Sequence, residues 1–235
     1  MSPAVTVEVR DQYGNRVTSA TDSVGLAFGN NAGGGTLSGG GALAAASGVA
    51  TFGGLSVNKT GTGYTLSATS GLLTAATSSA FNVTAGAATT IAVNGGDNQS
   101  ATVATAVATA PSVKVTDANG NAVSGVSVTF AVASGNGSLT STGAVTTDSA
   151  GIATSPAWTL GTIAGANMLT ATSGTLSGSP LTISATGTAG AATQLAFVTQ
   201  PSSVVAGATM SPAVTVEVRD QYGNRVTSSV APATR

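Results

Sequence analysis

The stretch AVTVEVRDQYGNRVTS, Ala4–Ser19, recurs letter for letter as Ala213–Ser228. The identity reaches outward to Met1–Ser19 and Met210–Ser228. Two signals sit side by side within it. Val5, Val7 and Val9 alternate with Thr6, Glu8 and Arg10, and a period of two places one set of side chains on a buried face and the other in water. Asp11, Gly14 and Asn15 follow. An Asp side chain bonds the backbone two residues on, and Gly or Asn supplies the positive φ of a tight reversal. The stretch therefore reads as a strand feeding a turn.

The same D-x-x-G-N pattern occurs at Asp117, Gly120 and Asn121, between the end copies Asp11/Gly14/Asn15 and Asp220/Gly223/Asn224. AGAAT appears at Ala85–Thr89 and again at Ala189–Thr193, 104 positions later. Gly48–Gly71 aligns without gaps to Gly151–Gly174, with identities that include Gly48, Ala50, Leu66 and Gly71. A unit of that length far exceeds a solenoid coil of roughly 20–30 residues and suits one sandwich of about 100. Further alternating runs support strands: Val126, Val128, Phe130 and Val132; Tyr64, Leu66 and Ala68; Leu181, Ile183 and Ala185. Thr, Val and Ser dominate them, Gly/Asn/Asp clusters separate them, and no helix is expected.

The expected fold class is all-β, with sandwich domains in tandem and a unit truncated at each chain end. Residues 1–84 form a sandwich lacking its first strand, residues 85–188 a complete one, and residues 189–235 a partial unit with its first two strands only. The partial unit holds TQLAFVTQP and AVTVEVRD, after which SVAPATR departs from the pattern. Both ends cut through a unit, so the chain is expected to be a segment of a longer array.

Composition narrows the chemistry. Charged residues make up 6% of the chain, against about 25% in ordinary globular proteins. The net charge of −1 offers no basic footprint for nucleic acid. Cysteine and histidine are absent, which removes disulfides, thiolate and imidazole metal sites, and Ser-His-Asp or Cys-His catalysis. No secretory signal opens the chain, and no run of about 18 apolar residues spans a bilayer.

Several residues invite a sharper reading. Asp117 with Asp148, and Asp11 with Asp22, are candidates for calcium at the sandwich ends, weighed against plain turn-forming aspartates. Glu8 with Asp11 and Glu217 with Asp220 belong to the repeated strand and turn. Lys114, between Val113 and Val115, points outward by alternation, and Lys59 sits in the turn NKTGTG, so neither suits a core isopeptide cross-link. Trp158 takes the Leu55 position and reads as core. Tyr64 is placed like a tyrosine corner pinning a loop, or simply packs; the second unit has Asn167 there, so the device is not expected to be shared. Asn31–Gly41, NAGGGTLSGGG, reads as a floppy loop. No catalytic, cofactor-binding or metal-ligating residue is assigned, and no cofactor is expected.

VKVTDANGNAVSGVSVTFAVASGNGSL, followed by TTDSAGIATSPAWTL and LTATSG, resembles the bacterial immunoglobulin-like domains of invasin and intimin-type proteins. The matching positions include Val115, Asp117, Gly120, Asn121, Phe130 and Gly151. The resemblance implies a non-catalytic stalk repeat of a bacterial surface or secreted adhesin, extracellular, with neighbouring repeats as its partners and the receptor unknown. A carbohydrate- or host-protein-binding module, or an accessory domain of an exported enzyme, is the alternative. The missing first strand of residues 1–84 and the spare one in residues 189–235 leave open edges that invite self-association.

Overall fold

The computed structural model describes residues 3–227, so SVAPATR lies outside the described residues. Among the described residues there is no helix. The chain divides into two compact units. The first runs to Ala87 and takes in Asp117–Asn121; the second holds Ala88–Thr116 and continues from Ala122.

In the first unit, β1 (Val5–Glu8) pairs antiparallel with β5 (Val49–Phe52), setting Val5 opposite Phe52 and Val7 opposite Ala50. A second sheet is built on β2 (Ser23–Asn30), which lies between β4 (Leu43–Ala44) and β7 (Gly61–Thr69). β7 also pairs with β8 (Ala76–Thr77) and β9 (Phe81–Val83), while β3 (Leu37–Ser38) pairs with β6 (Ser56–Val57). Period two does its work here: Tyr64, Leu66 and Ala68 turn inward from β7, and Leu66 and Ala68 share a core with Val24, Phe52 and Leu55.

The second unit repeats this plan and adds to it. β12 (Ser112–Asp117) lies between β10 (Ala88–Gly95) and β16 (Ile152–Thr154). Opposite them runs β11 (Gln99–Thr102), β19 (Leu181–Thr188), β18 (Gly165–Thr172), β13 (Ser127–Ser134), β15 (Val145–Thr146), in that order. β14 (Ser138–Leu139) pairs with β17 (Trp158–Thr159). The β13–β18 register slips between Val132 and Ser134, as the β2–β7 register slips between Phe28 and Asn30. The opening strand is shared: β10 joins one sheet, then the chain crosses at Gly96 and Asn98, both at positive φ, and β11 runs parallel to β19 in the other. Ile91, Val103 and Val107 are thereby buried.

Beyond this sandwich, β20 (Ala192–Thr199) and β21 (Thr215–Asp220) form an antiparallel ribbon of two strands, with Leu195 opposite Val218 and Phe197 opposite Val216. Neither strand has another strand partner among the described residues. The architecture is all-β, and the sandwiches are of the immunoglobulin-like kind expected from the sequence.

Candidate functional site

The three D-x-x-G-N turns are built alike. Asp117 Oδ1 accepts the N–H groups of Asn119 (2.8 Å) and Asn121 (2.9 Å), while Gly120 sits at φ 75°. Asp220 does the same for Tyr222 and Asn224, each at 2.9 Å, and Asp11 for Tyr13 and Asn15. In each turn the Asn amide also donates to the Asp carboxylate.

Two of the turns go further. In the second unit, Asn224 Nδ2 donates to Thr162 O at 2.8 Å and its Oδ1 accepts from Ala164 N at 2.8 Å. Asp220 Oδ2 accepts from Gly190 N at 2.9 Å. In the first unit, Asn121 Nδ2 donates to Asn58 O at 3.0 Å, and its Oδ1 accepts from Thr60 N at 3.1 Å. Asp117 Oδ2 accepts from Gly86 N at 2.9 Å. Each Asn thus reads a carbonyl and the N–H two residues on, and each Asp anchors the glycine of the repeated AGAAT segment. We call this arrangement a clasp. Lys59 adds to the first one, donating from Nζ to Asn119 O at 2.8 Å. Asn15 makes no such contact; among the described residues its side chain bonds only Asp11.

The segments that the clasps read are themselves pinned. Tyr64 is fully buried between Phe28 and Phe81, with ring centroids 5.3 and 5.8 Å away, and its hydroxyl donates to Lys59 O at 2.9 Å. That is the loop-pinning reading of Tyr64 rather than packing alone. In the second sandwich, Asn167 Oδ1 accepts from Gly161 N at 3.0 Å and Nδ2 donates to Gly165 O at 3.2 Å. The residue differs, yet the position does the same job, contrary to the expectation that the device is confined to the first unit. A buried amide offers a donor and an acceptor where a phenol reaches one carbonyl.

Hydrogen bonding sets the carboxylates. The Asn121 amide, with the N–H groups of Gly86, Asn121 and Asn119, outweighs burial and holds Asp117 down to about 2. Burial acts most strongly on Asp220 and pushes it up, but the Asn224 amide and the N–H groups of Gly190, Asn224 and Tyr222 together bring it to about 2. Asp11 is lowered as well, chiefly by Asn15 N–H. Asp97 is lowered by the Ser184 N–H that it caps. A carboxylate whose folded pKa lies below its unfolded value of about 3.9 contributes stability that is complete above that value and is lost as pH falls through the folded one. Urea midpoints are therefore expected to hold level from neutrality to about pH 5 and to fall between about pH 4 and 2. A midpoint that drops already between pH 7 and 5 would contradict this assignment.

The remaining candidates resolve individually. Asp148 Oδ1 accepts from Ala150 N (2.8 Å) and Ile152 N (2.9 Å), a turn of its own, and Asp22 is exposed. Among the described residues no three His, Cys, Asp or Glu lie close enough to hold a metal ion. Glu8 pairs with Arg10, and Glu217 with Arg219. Lys114 is exposed on β12, and Trp158 is fully buried in the core of the second sandwich. The loop from Asn31 to Gly41 is fastened rather than floppy. Asn31 Oδ1 accepts from Gly35 N and its Nδ2 donates to Gly35 O, each at 2.9 Å, and Thr36 N donates to Asn58 Oδ1 at 2.7 Å.

No family pattern matches this sequence, and no curated protein matches it. Solved structures do. The chain is similar to InvD of Yersinia pseudotuberculosis, at 20% identity and a TM-score of 0.44 over 95% of this chain and 66% of that one. It is similar to invasin, described as a bacterial integrin-binding protein, at 18% identity and a TM-score of 0.43 over 97% of this chain and 45% of that one. A third likeness is to the Escherichia coli adhesin FdeC, at 18% identity and a TM-score of 0.47 over 96% and 70% of the two chains. The likeness is one of fold. The chain spans about two thirds of InvD and less than half of invasin.

Proposed function

We propose that this chain is a non-catalytic stalk segment of a bacterial surface or secreted adhesin-like protein, with residues 1–84, 85–188 and 189–235 as its repeats. The observation that carries this reading is the recurrence of the clasp. Asn121 and Asn224 lie 103 positions apart and make the same pair of backbone hydrogen bonds, each to a segment about 60 residues upstream. The clasp reads backbone groups, so the loop it grips is free to vary in sequence. Neighbouring repeats are its partners, and the cell exterior is its setting.

Asn224→Ala removes both hydrogen bonds to the Thr162–Ala164 segment and leaves a carbonyl and an N–H without their partner. The expected cost is about 1–3 kcal/mol of local stability, read as amide exchange in β20–β21 that is about fivefold to a hundredfold faster. Asn15→Ala, at the turn with no upstream contact, is expected to stay within about 0.5 kcal/mol. Equal effects at the two positions would count against the clasp. The stalk reading itself is tested by arrays of glycans and host surface proteins. The chain is expected to give no saturable binding, and binding to one defined glycan class would replace the spacer with a recognition module.

A further inference from the structure

In the second sandwich the opening and closing segments run side by side in the same direction. Thr90 bridges Ser177 in parallel, and Ile91 N donates to Ser177 O at 2.9 Å. β11 then lies along β19, with Gln99 opposite Ala185 and Thr102 opposite Thr188. Asn98 N donates to Ser184 O and Val103 N to Thr188 O, each at 2.9 Å, at the two ends of that pair. The chain enters this sandwich through β10, which begins at Ala88, and leaves it through β19, which ends at Thr188. Tension along the chain therefore draws the first segment backwards and the second forwards. The two slide against each other, and all the hydrogen bonds between them are loaded together. Strands peeled apart from one end lose their bonds one at a time.

Side chains stitch the same seam. Asp97 Oδ1 accepts from Ser184 N at 2.8 Å and from Ser184 Oγ at 3.0 Å, both on the far strand. Asn98 holds that carboxylate in place, its N donating to Oδ1 at 2.9 Å and its Nδ2 to Oδ2 at 3.0 Å. At the other end, Thr188 Oγ1 donates to Ala101 O at 3.2 Å. Val103 follows directly on β11 and is 2% exposed, so β11 cannot slide without drawing a buried side chain out of cover as the hydrogen bonds break.

We propose that β11, β19 and Asp97 form a tension clamp, in which Asp97 latches the opening segment of the second sandwich to β19 and sets how long the domain survives a pull. This deepens the stalk reading and rests on it for the source of the load. Its test needs no surface or receptor, so it fails separately from that reading, which the binding arrays decide. Forced unfolding is governed by the unfolding rate rather than by equilibrium stability. A bond that crosses the sliding seam therefore counts for more under load than an equally strong bond elsewhere in the same sandwich.

The test is single-molecule stretching of the full chain in an optical trap. The chain has no cysteine, so engineered thiols place the handles. Ala87→Cys and Ala191→Cys, both at exposed positions, bracket the second sandwich and shear the clamp. Thr102→Cys and Thr186→Cys, exposed and at one end of the β11–β19 pair, peel it instead. The sandwich is expected to yield at a clearly lower force in the second geometry. In the first geometry, Asp97→Ala is expected to shorten its lifetime at fixed load roughly tenfold to a hundredfold, the weight of hydrogen bonds to a charged group. Asp148→Ala removes two hydrogen bonds of the same kind, from Ala150 N and Ile152 N, but within a single turn. It is expected to leave that lifetime within about twofold, because its turn is still intact when the clamp slips. The proposal fails if the two pulling directions give equal forces, a comparison that leaves Asp97 untouched. It fails equally if Asp97→Ala and Asp148→Ala shorten the lifetime alike.

Discussion

Trp158→Ala is expected to cost the second sandwich about 3–5 kcal/mol, a large share of the roughly 5–15 kcal/mol that a domain has. Trp158 is fully buried and shares its core with Phe130, Leu169 and Ile183. Its removal leaves a cavity that short strands fixed on both sides cannot close. A second effect moderates the conservative variant. Trp158 Nε1 is buried with no hydrogen-bond partner among the described residues, and an unsatisfied buried donor costs about 1–3 kcal/mol. Trp158→Phe therefore trades a smaller cavity against relief of that donor, with an expected net cost of about 2 kcal/mol or less. Urea unfolding followed by circular dichroism measures both variants, since the substitution removes the chain's single tryptophan.

Gly161→Ala is expected to be comparably severe for a different reason. A Cβ at Gly161 would overlap the backbone oxygen of Gly135. Gly161 N also donates to the buried Asn167 Oδ1, so the segment cannot retreat without breaking the loop pin. A loss above about 3 kcal/mol is expected. Gly143→Ala is the control: its Cβ would meet nothing within 4 Å, and it is expected to stay within about 0.5 kcal/mol. Matched thermal denaturation of the two variants decides whether close backbone approach or helical and strand propensity governs these glycines.

Much of the fold was legible because burial leaves a mark on every second residue. Val128, Phe130 and Val132 alternate in the sequence and turn inward in β13. The repeat length was legible from AGAAT and from the gapless match of Gly48–Gly71 to Gly151–Gly174. The clasps were not. The sequence marks Asn121 and Asn224 as turn residues and says nothing about what their amides reach. The reason is physical: they bind a carbonyl and an N–H, which every residue but proline carries. Asn58-Lys59-Thr60 and Thr162-Ile163-Ala164 therefore share no side-chain pattern. The pairing of Tyr64 with Asn167 was hidden in the same way, since a phenol and an amide pin the same loop through unlike chemistry. A signal was present in the nearly equal spacing from each loop to the following D-x-x-G-N turn, 63 residues from Asn58 to Asn121 and 62 from Thr162 to Asn224.

The central claim is that the two sandwiches close separate interiors, one around Phe52 and Leu66 and the other around Phe130 and Trp158. Phe52→Ala tests it most directly, with urea unfolding followed in dilute solution by circular dichroism and by Trp158 fluorescence. The account predicts that the circular dichroism curve gains an early transition while the fluorescence midpoint stays where it was. A fluorescence midpoint that falls together with the early transition would mean one shared core, and would contradict it.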